Sequence, residues 1–203
     1  MMGFYIQSLE VLCATDLVFD AIVKQFGVPK IPIREPGFAT LVLLILEQQV
    51  SIDSAKAAFL KLQKIVDLEP EALLRTDDES FRSCGISRQK TKYIRCLAEA
   101  IIDKSIDLES LGTKTADVVR AELIKIKGIG NWTIDVYLMF CLKSPDILPL
   151  GDIAVVNTIK ELWQIESRVE MEIYTQKWVP HRSMATFLIW HYYLKKRKRT
   201  IEY

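Results

Sequence analysis

Apolar residues return every three or four positions along almost the whole chain, which leaves little room for anything but helices. Ile52, Ala55, Phe59, Leu62 and Val66 form one such stripe. Ile94, Leu97 and Ile101 form another, and Ala116, Val119, Leu123 and Ile126 a third. Val155, Ile159 and Leu162, then Ala185, Leu188 and Tyr192, repeat the rhythm towards the C-terminus. A spacing near 3.6 residues puts each set on one face of an α-helix, whereas strands alternate with period two. That alternation is never sustained here. The expectation is an all-α protein of about nine or ten helices.

The breaks between stripes agree. Gly and Pro interrupt the pattern at Gly27-Val28-Pro29, at Pro32 to Gly37, at Glu69-Pro70, at Cys84-Gly85, at Leu111-Gly112, at Gly128 to Gly130, and between Ser144 and Gly151. Ser51, Ser87 and Thr115 stand where helix N-caps belong. Phe38 to Gln48 carries no charge before Glu47, so its helix should be the buried spine. The longest apolar run, Phe38 to Leu46, is far below the roughly 20 residues a bilayer span needs.

Charge narrows the choice of partners. The 203 residues carry 27 basic and 26 acidic side chains, a net charge of +1. A global basic field is absent, so any polyanion must be gripped by local features. A block of five cations, Lys195-Lys196-Arg197-Lys198-Arg199, reads as a solvated tail that can add salt-sensitive, sequence-independent affinity for DNA. The four cysteines, at 13, 84, 96 and 141, form no CxxC pair, which argues against a zinc or iron–sulfur site. MMGFYIQSLE has no basic residue ahead of its apolar stretch and does not read as a signal peptide.

The most informative segment is Leu123 to Asp135, LIKIKGIGNWTID. A helix should end near Ile126 and a second should begin near Asn131. Between them Gly128 and Gly130 bracket Ile129. Glycines allow positive φ and remove Cβ atoms from the turn. The first N–H groups of the second helix would then face outward, an anion site able to take a DNA phosphate. The plain alternative is a tight turn between helices with glycine as a C-cap.

This segment resembles the helix-hairpin-helix element of the DNA base-excision glycosylases. In that family a Gly/Pro-rich loop and an aspartate follow the hairpin. Here Ser144-Pro145-Asp146-Ile147-Leu148-Pro149-Leu150-Gly151 leads to Asp152. The likeness is to the 3-methyladenine DNA glycosylase II branch and runs from about Pro36 to Trp190. It implies a helix-hairpin-helix glycosylase fold of two helical lobes with a cleft between them. One lobe would comprise residues 36–145, with the hairpin at 123–135. The other would gather 1–35 and 146–203.

The resemblance makes Asp152 the catalytic residue. Breaking an N-glycosidic bond builds positive charge on the sugar, and a carboxylate facing it stabilises that charge or orients the attacking water. Asp152 also opens the helix IAVVNTIKELW, where an N-cap role is ordinary and compatible with catalysis. Asp135, one turn into the second hairpin helix, is a rival acid and reads as structural or solvent-facing. Relatives that also cut the strand use a lysine two positions after the second glycine. That position here is Trp132, so no lyase activity is expected.

The resemblance further implies a pocket for a flipped base, with Trp132 and Trp190 as its walls and Tyr137, Phe38 and Phe187 as weaker candidates. Electron-rich indoles suit cationic or electron-poor alkylated purines. Trp163 and Trp178 read as core. Glu47-Gln48-Gln49-Val50-Ser51 resembles the family's strand-opening signature. Gln49 matches the side chain that fills the gap left by the flipped nucleotide, with Gln48 beside it. Glu47 stands in place of a glycine and sets a negative charge near that face. Gly128, Ile129, Gly130, Asn131 and Thr133 would meet the DNA backbone. By match, the carbonyls of Ile124, Ile126 and Ile129 can hold a structural Na+ or K+; no other cofactor is required.

The expected function is removal of alkylated bases, such as 3-methyladenine and 7-methylguanine, from double-stranded DNA by a monomer. The setting would be cytoplasmic in a prokaryote and nuclear in a eukaryote, with no membrane partner. Two alternatives stay open: a non-catalytic hairpin module that binds DNA, and a glycosylase for deaminated or oxidised bases.

Overall fold

The computed structural model describes residues 2–199. Every regular element among them is helical: twelve α-helices and two short 3-10 turns. Contacts divide the chain into two compact units, Arg34–Leu142 and Met1–Ile33 with Lys143–Tyr203.

In the unit Arg34–Leu142 the helices are α3 (Phe38–Glu47), α4 (Ile52–Ile65), α5 (Pro70–Arg75), α6 (Asp78–Ser83), α7 (Arg88–Ile102), α8 (Ala116–Leu123) and α9 (Asn131–Phe140). Helix α3 is the buried spine that its uncharged sequence predicts. It packs against α4, α7 and α9. Its Leu41, Val42, Leu44, Ile45 and Leu46 are at most 2% exposed, a burial contributing on the order of 10 kcal/mol against an extended chain. Ser51, Ser87 and Thr115 all cap as expected, their hydroxyls accepting from the N–H groups of Ser54, Lys90 and Val118.

The other unit holds α1 (Met2–Thr15), α2 (Leu17–Phe26), α10 (Ile153–Trp163), α11 (Arg168–Tyr174) and α12 (Arg182–Lys196). Helix α12 packs against α1, α2 and α10. Ser183 through Ile189 are all buried, so this part of α12 is enclosed on every side and not along one stripe.

The helix count exceeds the sequence expectation. The surplus comes from α5, α6 and α11, of 6, 6 and 7 residues. Fewer than two turns cannot display a repeating stripe, so periodicity passes over them. Among the described residues no helix is long and apolar enough to cross a membrane.

Candidate active site

The hairpin between α8 and α9 differs from its sequence reading in two details. Helix α8 ends at Leu123, not near Ile126. The chain tightens instead through i to i+3 bonds, Lys125 N–H to Glu122 O at 3.3 Å and Ile126 N–H to Leu123 O at 3.1 Å. This turns Ile126 and Ile129 inward, to 7% and 3% exposure, and leaves Ile124 outside. The two glycines also do different jobs. Gly128 adopts φ +96°, and a Cβ there would lie 2.2 Å from Cγ of Tyr93 on α7. Gly130 is extended at φ −104° and serves as N-cap of α9. What it supplies is a helix start with no side chain of its own over the first N–H groups.

Gln48 ties this hairpin to the end of α3. Its Nε2 donates to Gly128 O at 2.8 Å and to Thr133 Oγ1 at 3.0 Å. Thr133 is buried, so its hydroxyl holds Gln48 and does not face outward. Asn131 is exposed, and its Oδ1 accepts from Arg120 at 3.3 Å. Gln49 is exposed with φ +59°. A left-handed conformation costs a non-glycine residue about 1–2 kcal/mol, and such strain gathers at functional positions. The turn that imposes it is fixed on both sides. Besides Gln48, Lys90 Nζ donates to Leu46 O at 2.6 Å.

Glu47 does not present its charge outward. It is buried and takes a two-pronged contact from Arg34, NH2 to Oε1 at 2.7 Å and NH1 to Oε2 at 3.0 Å. The Arg34 N–H in turn donates to Phe140 O at 3.1 Å, and its guanidinium lies over the Phe140 ring. The residue replacing the family's glycine is therefore neutralised inside its own unit. The negative charge read from the sequence at this face is cancelled.

Of the aromatic candidates in this unit, Trp132 and Phe38 are half-buried and Tyr137 is fully buried. The Tyr137 hydroxyl accepts from Gly37 N–H at 3.1 Å, just ahead of α3. Burial pushes its phenol up to about 12. It therefore acts as a neutral brace for the start of α3. Asp135 is 6% exposed and paired with Arg120, which fastens α8 to α9. Burial pushes its carboxyl up despite the pull of Arg120. The structural reading of Asp135 holds; the solvent-facing one does not.

Asp152 and Trp190 belong to the other unit. Asp152 is the N-cap of α10, its Oδ1 accepting from Ala154 N–H at 2.8 Å and Val155 N–H at 3.1 Å. Its own N–H donates to Pro149 O at 2.9 Å. Its Oδ1 is thus fixed at a helix start, where the dipole favours negative charge. Trp190 is half-buried on α12, its ring centroid 6.1 Å from that of Phe187.

The remaining tryptophans frame an acid that the sequence reading passed over. Trp163 and Trp178 both donate their Nε1 hydrogens to Oδ2 of Asp16, at 3.0 and 3.2 Å, and Lys177 Nζ lies 3.0 Å from the same oxygen. Burial would push the Asp16 carboxyl up. The bonds from Lys177, Trp163, Val18 and Trp178 outweigh that and hold it below its ordinary value. Asp16 caps α2 and is fully engaged in structure. Its only sequence signal was an Asp ahead of an apolar helix. The open cavity of about 360 Å³ lined by Gln164, Ile165, Glu170, Ile173 and Tyr174 contains none of the candidate residues.

A fold whose described elements are all helical, with a glycine hairpin and a Pro-bearing loop that delivers an aspartate to a helix N-terminus, is that of the helix-hairpin-helix class of base-excision proteins. The profile of the HhH-GPD superfamily base excision DNA repair proteins matches residues 42–181, and the chain belongs to that family. It is 34% identical over 125 residues to the alkylbase DNA glycosidase-like protein mag2 of Schizosaccharomyces pombe; the match covers 60% of this chain and 59% of that protein. The chain thus spans less than two thirds of that relative's length. Its fold matches the crystal structure of a DNA-3-methyladenine glycosidase from Bacillus halodurans with a TM-score of 0.79, at 29% identity, covering 93% of this chain and 89% of the other. It also matches the Schizosaccharomyces pombe 3-methyladenine DNA glycosylase in complex with abasic DNA, with a TM-score of 0.82, at 25% identity, covering 91% and 95%.

Proposed function

We propose that this protein is a monofunctional DNA glycosylase that flips alkylated bases out of duplex DNA and releases them by hydrolysis. The observation that carries the reading is Asp152: a carboxylate immobilised by two helix N–H groups at the end of a Pro-bearing loop. Such an anion, held before the reaction starts, stabilises the cationic sugar without reorganising. Names of the similar proteins support alkylated purines as substrates. Their rings already carry or attract positive charge and leave readily. Indoles such as those of Trp132 and of Trp190 suit stacking on such rings.

The hairpin would receive a phosphate at the start of α9, and Gln49 would enter the gap in the duplex. Gln48 and Thr133 serve by holding the hairpin to the Gln49 turn. The Ile126 carbonyl already accepts the Ile129 N–H at 3.0 Å. A carbonyl has two lone pairs, so with Ile124 and Ile129 it retains capacity for Na+ or K+ at this turn. The protein would act as a monomer.

Trp132 in place of a lysine leaves no amine at that position for a Schiff base. The test is a panel of duplexes, each with one alkylated, deaminated or oxidised base. Alkylated purines should be released to leave an intact strand at an abasic site. Strand cleavage with a borohydride-trapped adduct would refute the monofunctional reading. Release confined to oxidised or deaminated bases would refute the substrate class.

A further inference from the structure

The loop that ends in Asp152 is not held by its own residues alone. Its first half is fastened to the opening turn of α12. Arg182 grips Asp146 with Nε to Oδ1 and NH2 to Oδ2, both at 2.6 Å, and its backbone N–H reaches Oδ1 at 3.3 Å. Ser183 is fully buried. Its N–H donates to Pro145 O at 3.0 Å, its hydroxyl donates to Ser144 O at 2.6 Å, and the same hydroxyl accepts from Ile147 N–H at 3.0 Å. Thr186, one turn on, donates to Ile147 O at 3.1 Å.

From Ile147 the hydrogen bonding runs on to the acid. Leu150 N–H donates to Leu148 O at 3.0 Å, Asp152 N–H to Pro149 O at 2.9 Å, and the Asp152 carboxylate closes the series on Ala154 and Val155. Helix α12 also carries Trp190, two turns beyond Arg182.

We infer that Arg182 and Ser183 are positioning residues for catalysis, setting the place of Asp152 through the loop Ser144–Gly151 while their own helix carries the stacking Trp190. The inference rests on the glycosylase reading above. It also removes Asp146 as a competing acid, because the two-pronged guanidinium contact occupies both of its oxygens. Arginine is suited to this task, because its planar fork fixes a carboxylate in orientation as well as distance, which a lysine cannot.

The test uses the full chain with Arg182→Gln, Arg182→Lys and Ser183→Ala, read in two ways. The first is the single-turnover rate of base release from methylated duplex at saturating enzyme, beside the Kd for an abasic duplex. The second is hydrogen exchange at the Ala154 and Val155 amides, which report the Asp152 cap whether or not the protein is active. Arg182→Gln should slow release about ten- to a hundredfold, the cost of a misplaced catalytic group, with Kd changed by less than about twofold. It should also speed exchange at both amides about tenfold. Arg182→Lys should recover only part of the rate. If release by the Arg182→Gln and Ser183→Ala proteins stays at the parent rate, or exchange at Ala154 and Val155 is unchanged in both, the positioning role is overturned. If the parent protein itself releases no base, the glycosylase reading fails, and unchanged or accelerated exchange still decides whether these residues set Asp152.

Discussion

Replacing Gly128 by alanine tests whether the hairpin is held as tightly as its geometry states. Two penalties add. The backbone sits at φ +96°, a left-handed conformation that costs an L-residue about 1–2 kcal/mol. The new Cβ would lie 2.2 to 2.6 Å from three Tyr93 carbons, Cγ, Cβ and Cδ1. These lie at the root of the side chain, so it cannot swing clear without moving α7. Forcing such a methyl into packed surroundings costs about 1–3 kcal/mol. The sum is about 2–5 kcal/mol, or a fall in melting temperature of about 4–20 °C for a chain of this size. Circular dichroism during thermal and urea unfolding reads the loss. Tyr93→Ala in the same chain should return the packing part but not the backbone part. A double-mutant cycle should therefore show coupling of about 1–3 kcal/mol. A Gly128→Ala protein within about 0.5 kcal/mol of its parent, or a cycle with no coupling, would show that the Tyr93–Gly128 contact does not constrain the hairpin.

Four further outcomes are expected. Arg34→Ala strands Glu47 as a buried unpaired carboxylate and should cost about 3–5 kcal/mol by urea unfolding, whereas replacing the pair together with Met and Leu should cost far less. Asp16→Ala leaves two indole N–H groups and Lys177 without their shared acceptor and should cost about 2–4 kcal/mol. The Asp16 carboxyl is held below its ordinary value of 3.8 when folded. Its stabilisation is therefore complete above that value and lost as pH falls through the folded one, so Asp16→Asn should flatten the parent's loss of stability below about pH 4. Neutralising Lys195, Lys198 and Arg199 should make DNA binding less salt-dependent, lowering the slope of log K against log salt by up to about one unit per charge that contacts phosphate; an unchanged slope would mean that the block stays in solvent.

The features legible in the sequence are those written locally. The stripes from Ile52 to Leu62 and from Ala116 to Leu123 became helices, and the three hydroxyl caps act within three residues of themselves. The hairpin was legible because Gly128 and Gly130 punctuate two periodic segments. Partners distant in the chain were not. Gln48 finds its acceptors 80 and 85 residues away, and Asp16 draws its indoles from 147 and 162 residues on. No periodicity pairs Arg34 with Glu47 or Arg182 with Asp146. Those contacts are set by how helices pack, and they decide which charges face solvent.

Catalysis as proposed depends on the negative charge of Asp152, and Asp152→Asn isolates it. Asparagine caps helices about as well as aspartate, so α10 keeps its start while the charge is lost. Base release from methylated duplex DNA should be measured in single turnover for both proteins, beside their affinities for an abasic duplex. Release should fall by about 10²–10³-fold or more, with binding retained. Release at the parent rate from the Asp152→Asn protein would contradict this dependence.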